Sequence, residues 1–112
     1  MKLVYFFGSK AAGNDGPLSD YDFAFYINES DLKKISDLRL ELIGAVSDIL
    51  HSDNFNVVIL NTASSPEFKY NIIKEGKLIY EQEPFKIIVE PRILNEYFDF
   101  YMMLKRHGLT RA

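Results

Sequence analysis

The chain has 112 residues, 47% of them hydrophobic and 26% charged, with a formal charge of -3. That is enough chain for one hydrophobic core, and it leaves no basic footprint for broad nucleic-acid binding. The absence of cysteine rules out disulfides and thiolate metal sites, and His51 and His107 lie too far apart in sequence to suggest a zinc site.

No apolar run approaches the ~20 residues of a membrane span, and nothing at the N-terminus reads as a signal peptide. The expectation is a cytoplasmic protein with no membrane contact and no direct nucleic-acid contact. Seven Tyr and nine Phe are a high aromatic load for this length. Core packing accounts for most of them, and any left on the surface would point to a partner interface.

Leu3 to Phe7 is short, aromatic and β-branched and ends at Gly8, which predicts a buried strand. Lys10 to Leu18 carries Gly13, Asn14, Asp15, Gly16 and Pro17 and predicts a helical turn at most, then loop. From Tyr21 to Ile27 the residue types alternate. Tyr21, Phe23, Phe25 and Ile27 should face one way, and Asp20, Asp22, Ala24 and Tyr26 the other.

Ser30 or Asp31 caps a long helix with an apolar stripe of Leu32, Ile35, Leu38, Leu42, Val46, Ile49 and Leu50. Phe55 to Leu60 is a further β-prone run. Ser65-Pro66 opens the next helix and Gly76 stops it. Leu78 to Tyr80 is a short strand. A final helix is expected from near Pro91 to about His107, with Leu94, Tyr97, Phe98, Tyr101 and Leu104 on its apolar face and Gly108 at its end.

This order predicts an α/β fold (α+β in some schemes), a small sheet with flanking helices. The link between the first two strands is too short for a crossover helix, so the sheet should be mixed.

The chemistry concentrates at Gly8-Ser9 and, ten residues further on, Asp20-Tyr21-Asp22. Asp20 and Asp22 are two apart on a predicted strand and leave the same face of the sheet. Adjacent carboxylates repel and raise each other's pKa unless a cation is present. Magnesium removes that conflict, taking one or two carboxylates together with phosphate oxygens. Gly8 lets a ligand approach the backbone, and Ser9 adds a hydroxyl. Alone, either motif is common and uninformative. Together, between two strands, they predict a site for phosphoryl or nucleotidyl transfer.

Residues 7 to 13, Phe-Gly-Ser-Lys-Ala-Ala-Gly, and residues 19 to 24, Ser-Asp-Tyr-Asp-Phe-Ala, resemble the signature of the DNA polymerase β-type nucleotidyltransferases. The similarity is above all to their minimal, single-domain (MNT) members. It continues through residues 55 to 61, Phe-Asn-Val-Val-Ile-Leu-Asn, and residues 70 to 81, which resemble the family's third strand and closing strand. Residues 96 to 101 resemble its last helix.

The resemblance implies one minimal nucleotidyltransferase domain over residues 1–112. It implies that Gly8 and Ser9 hold the triphosphate of ATP, and that Asp20 and Asp22 carry Mg2+ and the catalysis. MNT proteins commonly act as antitoxins of HEPN-domain ribonuclease toxins, and some transfer AMP from ATP to a toxin tyrosine.

This chain departs from that pattern at three places. Asn56 occupies the position of the family's third carboxylate, where an amide adds no charge and is a very poor base. Asp53 is nearby in sequence, but it falls before the strand and at an odd offset that should aim it elsewhere unless the strand bulges. The chain starts on the first strand, where members of the family carry a preceding helix, so a partner or a second copy is expected to cover the sheet there. Ala12 stands where a basic residue is often found.

Two functions follow. The first is a Mg·ATP-dependent adenylyltransferase acting on its toxin, and the second is a catalytically weak or inactive member that neutralises the toxin by binding alone. A small-molecule acceptor ranks below both, because 112 residues leave no room for the second domain that would hold it.

Overall fold

The computed structural model describes residues 1–8, 10, 13, 20–52 and 54–108. Strand β1 (Leu3–Phe7) pairs antiparallel with β2 (Tyr21–Tyr26). Helix α1 (Leu32–Leu50) leads to β3 (Phe55–Ile59), which lies parallel to β2. Helix α2 (Pro66–Glu75) precedes β4 (Lys77–Glu81), which is antiparallel to β1, and helix α3 (Phe85–Arg106) follows. The sheet order is β3-β2-β1-β4, a mixed sheet as the short first connection requires.

The alternation along β2 decides how the layers form. Ala24 packs with Leu3, Tyr5, Ile72, Val89 and Ile93 on the face covered by α2 and α3. Phe25 and Ile27 pack with Val4, Ile35, Val57 and Ile59 on the face covered by α1. Tyr5 is 1% exposed, and its hydroxyl donates to the Glu90 carboxylate on α3. Burial and that carboxylate push the Tyr5 pKa far up, so the phenol stays neutral. Between α2 and α3, the buried Lys69 ammonium donates to Glu96 at 2.9 Å, and Tyr70 stacks on Tyr97 at 3.9 Å.

The caps match the sequence reading. Asp31 accepts from the Lys33 and Lys34 N–H groups at the start of α1, and Ser65 accepts from the Phe68 N–H with Pro66 as the first residue of α2. Gly76 stops α2 at φ -73, and it is needed for room, since a Cβ there would stand 2.4 Å from the Ile72 carbonyl.

Three expectations need correction. The last helix begins at Phe85, and Pro91 lies inside it. That proline lacks the N–H that would donate to the carbonyl of Ile87, a residue that is 75% exposed. The buried residues of α3 are Val89 and Ile93, whereas Phe98, placed on the apolar face, is 53% exposed. The stripe on α1 is shorter than expected: Ile35 is buried and Leu38, Leu42 and Val46 pack beside it, but Leu32 and Ile49 are 71% and 76% exposed. Strands β2 and β3 each end one residue early, and at the first of these ends the Ile27 N–H donates to the Asn61 side chain.

Candidate nucleotide site

Because β1 runs against β2 while β3 runs with it, the end of β1 and the starts of β2 and β3 meet at one edge of the sheet. Register fixes the residues there: Phe7 lies opposite Asp22, and Asp22 lies opposite Asn56. Gly8 follows Phe7 with φ +84, in the region open to glycine. A Cβ at Gly8 would stand 2.2 Å from Asp22 Oδ2, so the carboxylate fills the space a side chain would need.

The other oxygen is engaged as well. Asn56 Nδ2 donates to Asp22 Oδ1 at 3.0 Å. Asp20 is exposed, immediately before β2 and two residues from Asp22. Ser9 and Asp53 lie outside the described residues. The Lys10 ammonium sits 4.7 Å from the centre of the Tyr21 ring, and Tyr21 stacks with Phe23 on the α1 side of the sheet.

A cavity of about 590 Å³ opens beside Asp22 and Asn56 and wraps around β3. Sequence reasoning missed two of its walls. Phe68, from the first turn of α2, is 40% exposed and meets Phe7 edge-on at 5.8 Å. Arg39, from α1, donates to the Val57 carbonyl at 3.3 Å, which shields part of the outer edge of β3. Arg39 is four residues after Ile35 and three before Leu42, so a cation interrupting an apolar stripe was the signal available.

The oxygen donors suit a hard cation such as magnesium. They are two carboxylates and one amide; among the described residues no group of three or more His, Cys, Asp or Glu side chains could hold a metal. Such a set fits an ion that completes its shell with phosphate oxygens and arrives with a nucleotide.

The family model described as polymerase beta, nucleotidyltransferase, matches residues 1–85. The chain belongs to this family. No curated protein matches it in sequence. Among solved structures, a toxin–antitoxin with AMP-PNP is 22% identical, with a TM-score of 0.74 over 94% of this chain and 81% of that one. A tri-AMPylated Shewanella oneidensis HEPN toxin in complex with MNT antitoxin gives 20% identity and a TM-score of 0.67, covering 94% and 77%. The toxin–antitoxin MntA–HepT gives 21% and 0.66, covering 94% and 78%. These likenesses establish the polymerase β-like nucleotidyltransferase fold.

Proposed function

We propose that this chain is a nucleotidyltransferase-type antitoxin that transfers AMP from Mg·ATP to a tyrosine hydroxyl of a HEPN-type toxin. The observation that carries this reading is the convergence of Gly8, Asp22 and Asn56 from three adjacent strands at one sheet edge, beside a cavity. Family membership and the HEPN-complexed structural neighbours support it.

Gly8 and Ser9 hold the triphosphate, and Asp20 and Asp22 hold the magnesium that comes with it. When bound, that ion neutralises charge on the phosphate oxygens. In-line displacement needs the leaving group and the acceptor on opposite sides of the α-phosphorus. With Gly8 just past the end of β1 and the cavity beside β3, pyrophosphate leaves on the β1 side and the acceptor hydroxyl enters past Asn56, Phe68 and Arg39. The acceptor oxygen bonds to the α-phosphorus, the bond to pyrophosphate breaks, and the acceptor proton passes to Asp22 or to water, because the Asn56 amide is not a base. Residues 1–112 act as one minimal domain in a cytoplasmic setting.

Calorimetric titration with Mg·ATP tests this. Binding by the wild type, lost in Asp22→Ala and in EDTA, supports the site. Equal binding by Asp22→Ala removes it.

One observation favours a second reading. Asn56 gives Asp22 a hydrogen bond where a third carboxylate would stand, so the site carries one negative charge fewer to draw in a metal ion. Under this reading the chain keeps the enzyme's shape and silences its toxin by binding alone. A complex with the toxin that survives replacement of both aspartates, with no AMP transferred by the wild type, would establish it.

A further inference from the structure

We infer that this site takes a single divalent cation, brought in by the nucleotide, because the Asn56 amide closes the place of a second one; this rests on the nucleotide reading above and narrows it.

The two oxygens of Asp22 face different strands. Oδ2 lies on the Gly8 side, 2.2 Å from where a Cβ would stand. Oδ1 lies on the β3 side and accepts from Asn56 Nδ2 at 3.0 Å. Strand pairing fixes both neighbours, since Phe7 stands opposite Asp22 on β1 and Asn56 opposite it on β3. Asp22 therefore offers one oxygen to each side of the site.

In a two-metal site the ions stand about 3.5–4 Å apart, one on the leaving oxygen and one on the attacking oxygen. With the triphosphate at Gly8, the first ion belongs to Oδ2. With the acceptor entering beside β3, a second belongs to Oδ1, where the amide nitrogen already stands. An N–H group has no lone pair to give a cation, and its charge-assisted hydrogen bond engages the oxygen that an ion would need.

Turning the amide end for end gains little. Its carbonyl oxygen would then face a carboxylate oxygen, two acceptors with no proton between them. An ion placed there would gain one neutral ligand for the hydrogen bond given up, and magnesium sheds its water reluctantly. Arg39 lines the same cavity, so a positive charge already stands toward the acceptor side. Among the described residues no group of three or more His, Cys, Asp or Glu side chains could hold a metal. The phosphate oxygens must complete the shell, so the one ion comes and goes with the nucleotide.

Electron paramagnetic resonance of Mn2+, used in place of magnesium, counts bound ions without reference to turnover. Calorimetry with a non-hydrolysable ATP analogue reads nucleotide binding separately. With the analogue fully bound, the wild type should hold one Mn2+ per chain; without it, its affinity for the ion should fall by about tenfold or more. Asn56→Asp should hold two ions with the analogue, seen also as spin coupling between them. Asn56→Ala should hold one, because the amide ligates no metal. Asn56 is exposed, and circular dichroism checks that both variants fold. Two ions on the wild type, an ion lost in Asn56→Ala, or a single ion in Asn56→Asp would each overturn the inference and leave nucleotide binding standing. A wild type that binds no analogue in the presence of Mn2+ would overturn the nucleotide reading itself, and the single-ion inference with it.

Discussion

Asn56 stands directly opposite Asp22 on the neighbouring parallel strand and donates its amide N–H to that carboxylate at 3.0 Å. The hydrogen bond occupies Oδ1, while Oδ2 lies over Gly8. Asp22 is therefore held by both neighbouring strands, and its environment turns on a residue that carries no charge.

Replacing that amide by a carboxylate should change both stability and metal demand. In Asn56→Asp, Asp22 faces a like charge across the strand pair, which destabilises the fold in EDTA by about 1 kcal/mol. Magnesium with ATP should restore the loss. If the wild type transfers AMP, the variant should do so about tenfold faster or more, since the new carboxylate can take the acceptor proton. Thermal unfolding in EDTA and in Mg·ATP, beside labelled-AMP transfer, checks both parts.

Gly8→Ala should be severe for a reason unrelated to apolar burial. The added Cβ would lie 2.2 Å from Asp22 Oδ2 at a φ of +84, so the carboxylate or the turn must move. The expected cost is about 1–3 kcal/mol in stability, together with at least an order of magnitude in Mg·ATP affinity. Urea unfolding and calorimetry measure the two. A variant that bound Mg·ATP like the wild type would show that the Gly8 contact does not shape the site.

Tyr5 should make the fold sensitive to alkali. Its folded-state pKa lies above the ordinary tyrosine value of 10.0, so its stabilising contribution is complete below about pH 10 and falls as pH rises above that. Tyr5→Phe removes this dependence, and it costs about 1–3 kcal/mol near neutrality by leaving Glu90 without the phenol's hydrogen bond. Unfolding midpoints of the two proteins, measured from neutral to alkaline pH, should converge as pH rises.

Much of the layout was legible because local rules and global packing agree. Two-residue alternation in β2 sorted Phe25 from Ala24 onto opposite faces, and Asp31 and Ser65 marked their helix starts by side-chain capping. Pro91 misled, because a proline reads as a first helical residue, whereas here it lies inside the helix at the loss of one backbone hydrogen bond. The site's Gly8 and Asp22 were legible as a motif; their mutual contact was not, since it depends on antiparallel register. Arg39 and Phe68 reach the site from helices distant in sequence, and no local pattern ties them to Asp22. Phe98 and Ile49 were placed on apolar helix faces by their spacing, which identifies a face but not what covers it, and both are exposed.

The most direct test supplies α-labelled ATP and magnesium to this chain together with its HEPN-type partner. Wild type is compared with the Asp20→Asn/Asp22→Asn double variant. The account predicts a labelled partner band with the wild type only, made with release of pyrophosphate. A wild type that leaves the partner unlabelled while holding it in a stable complex would contradict nucleotidyl transfer and leave binding as the mode of action.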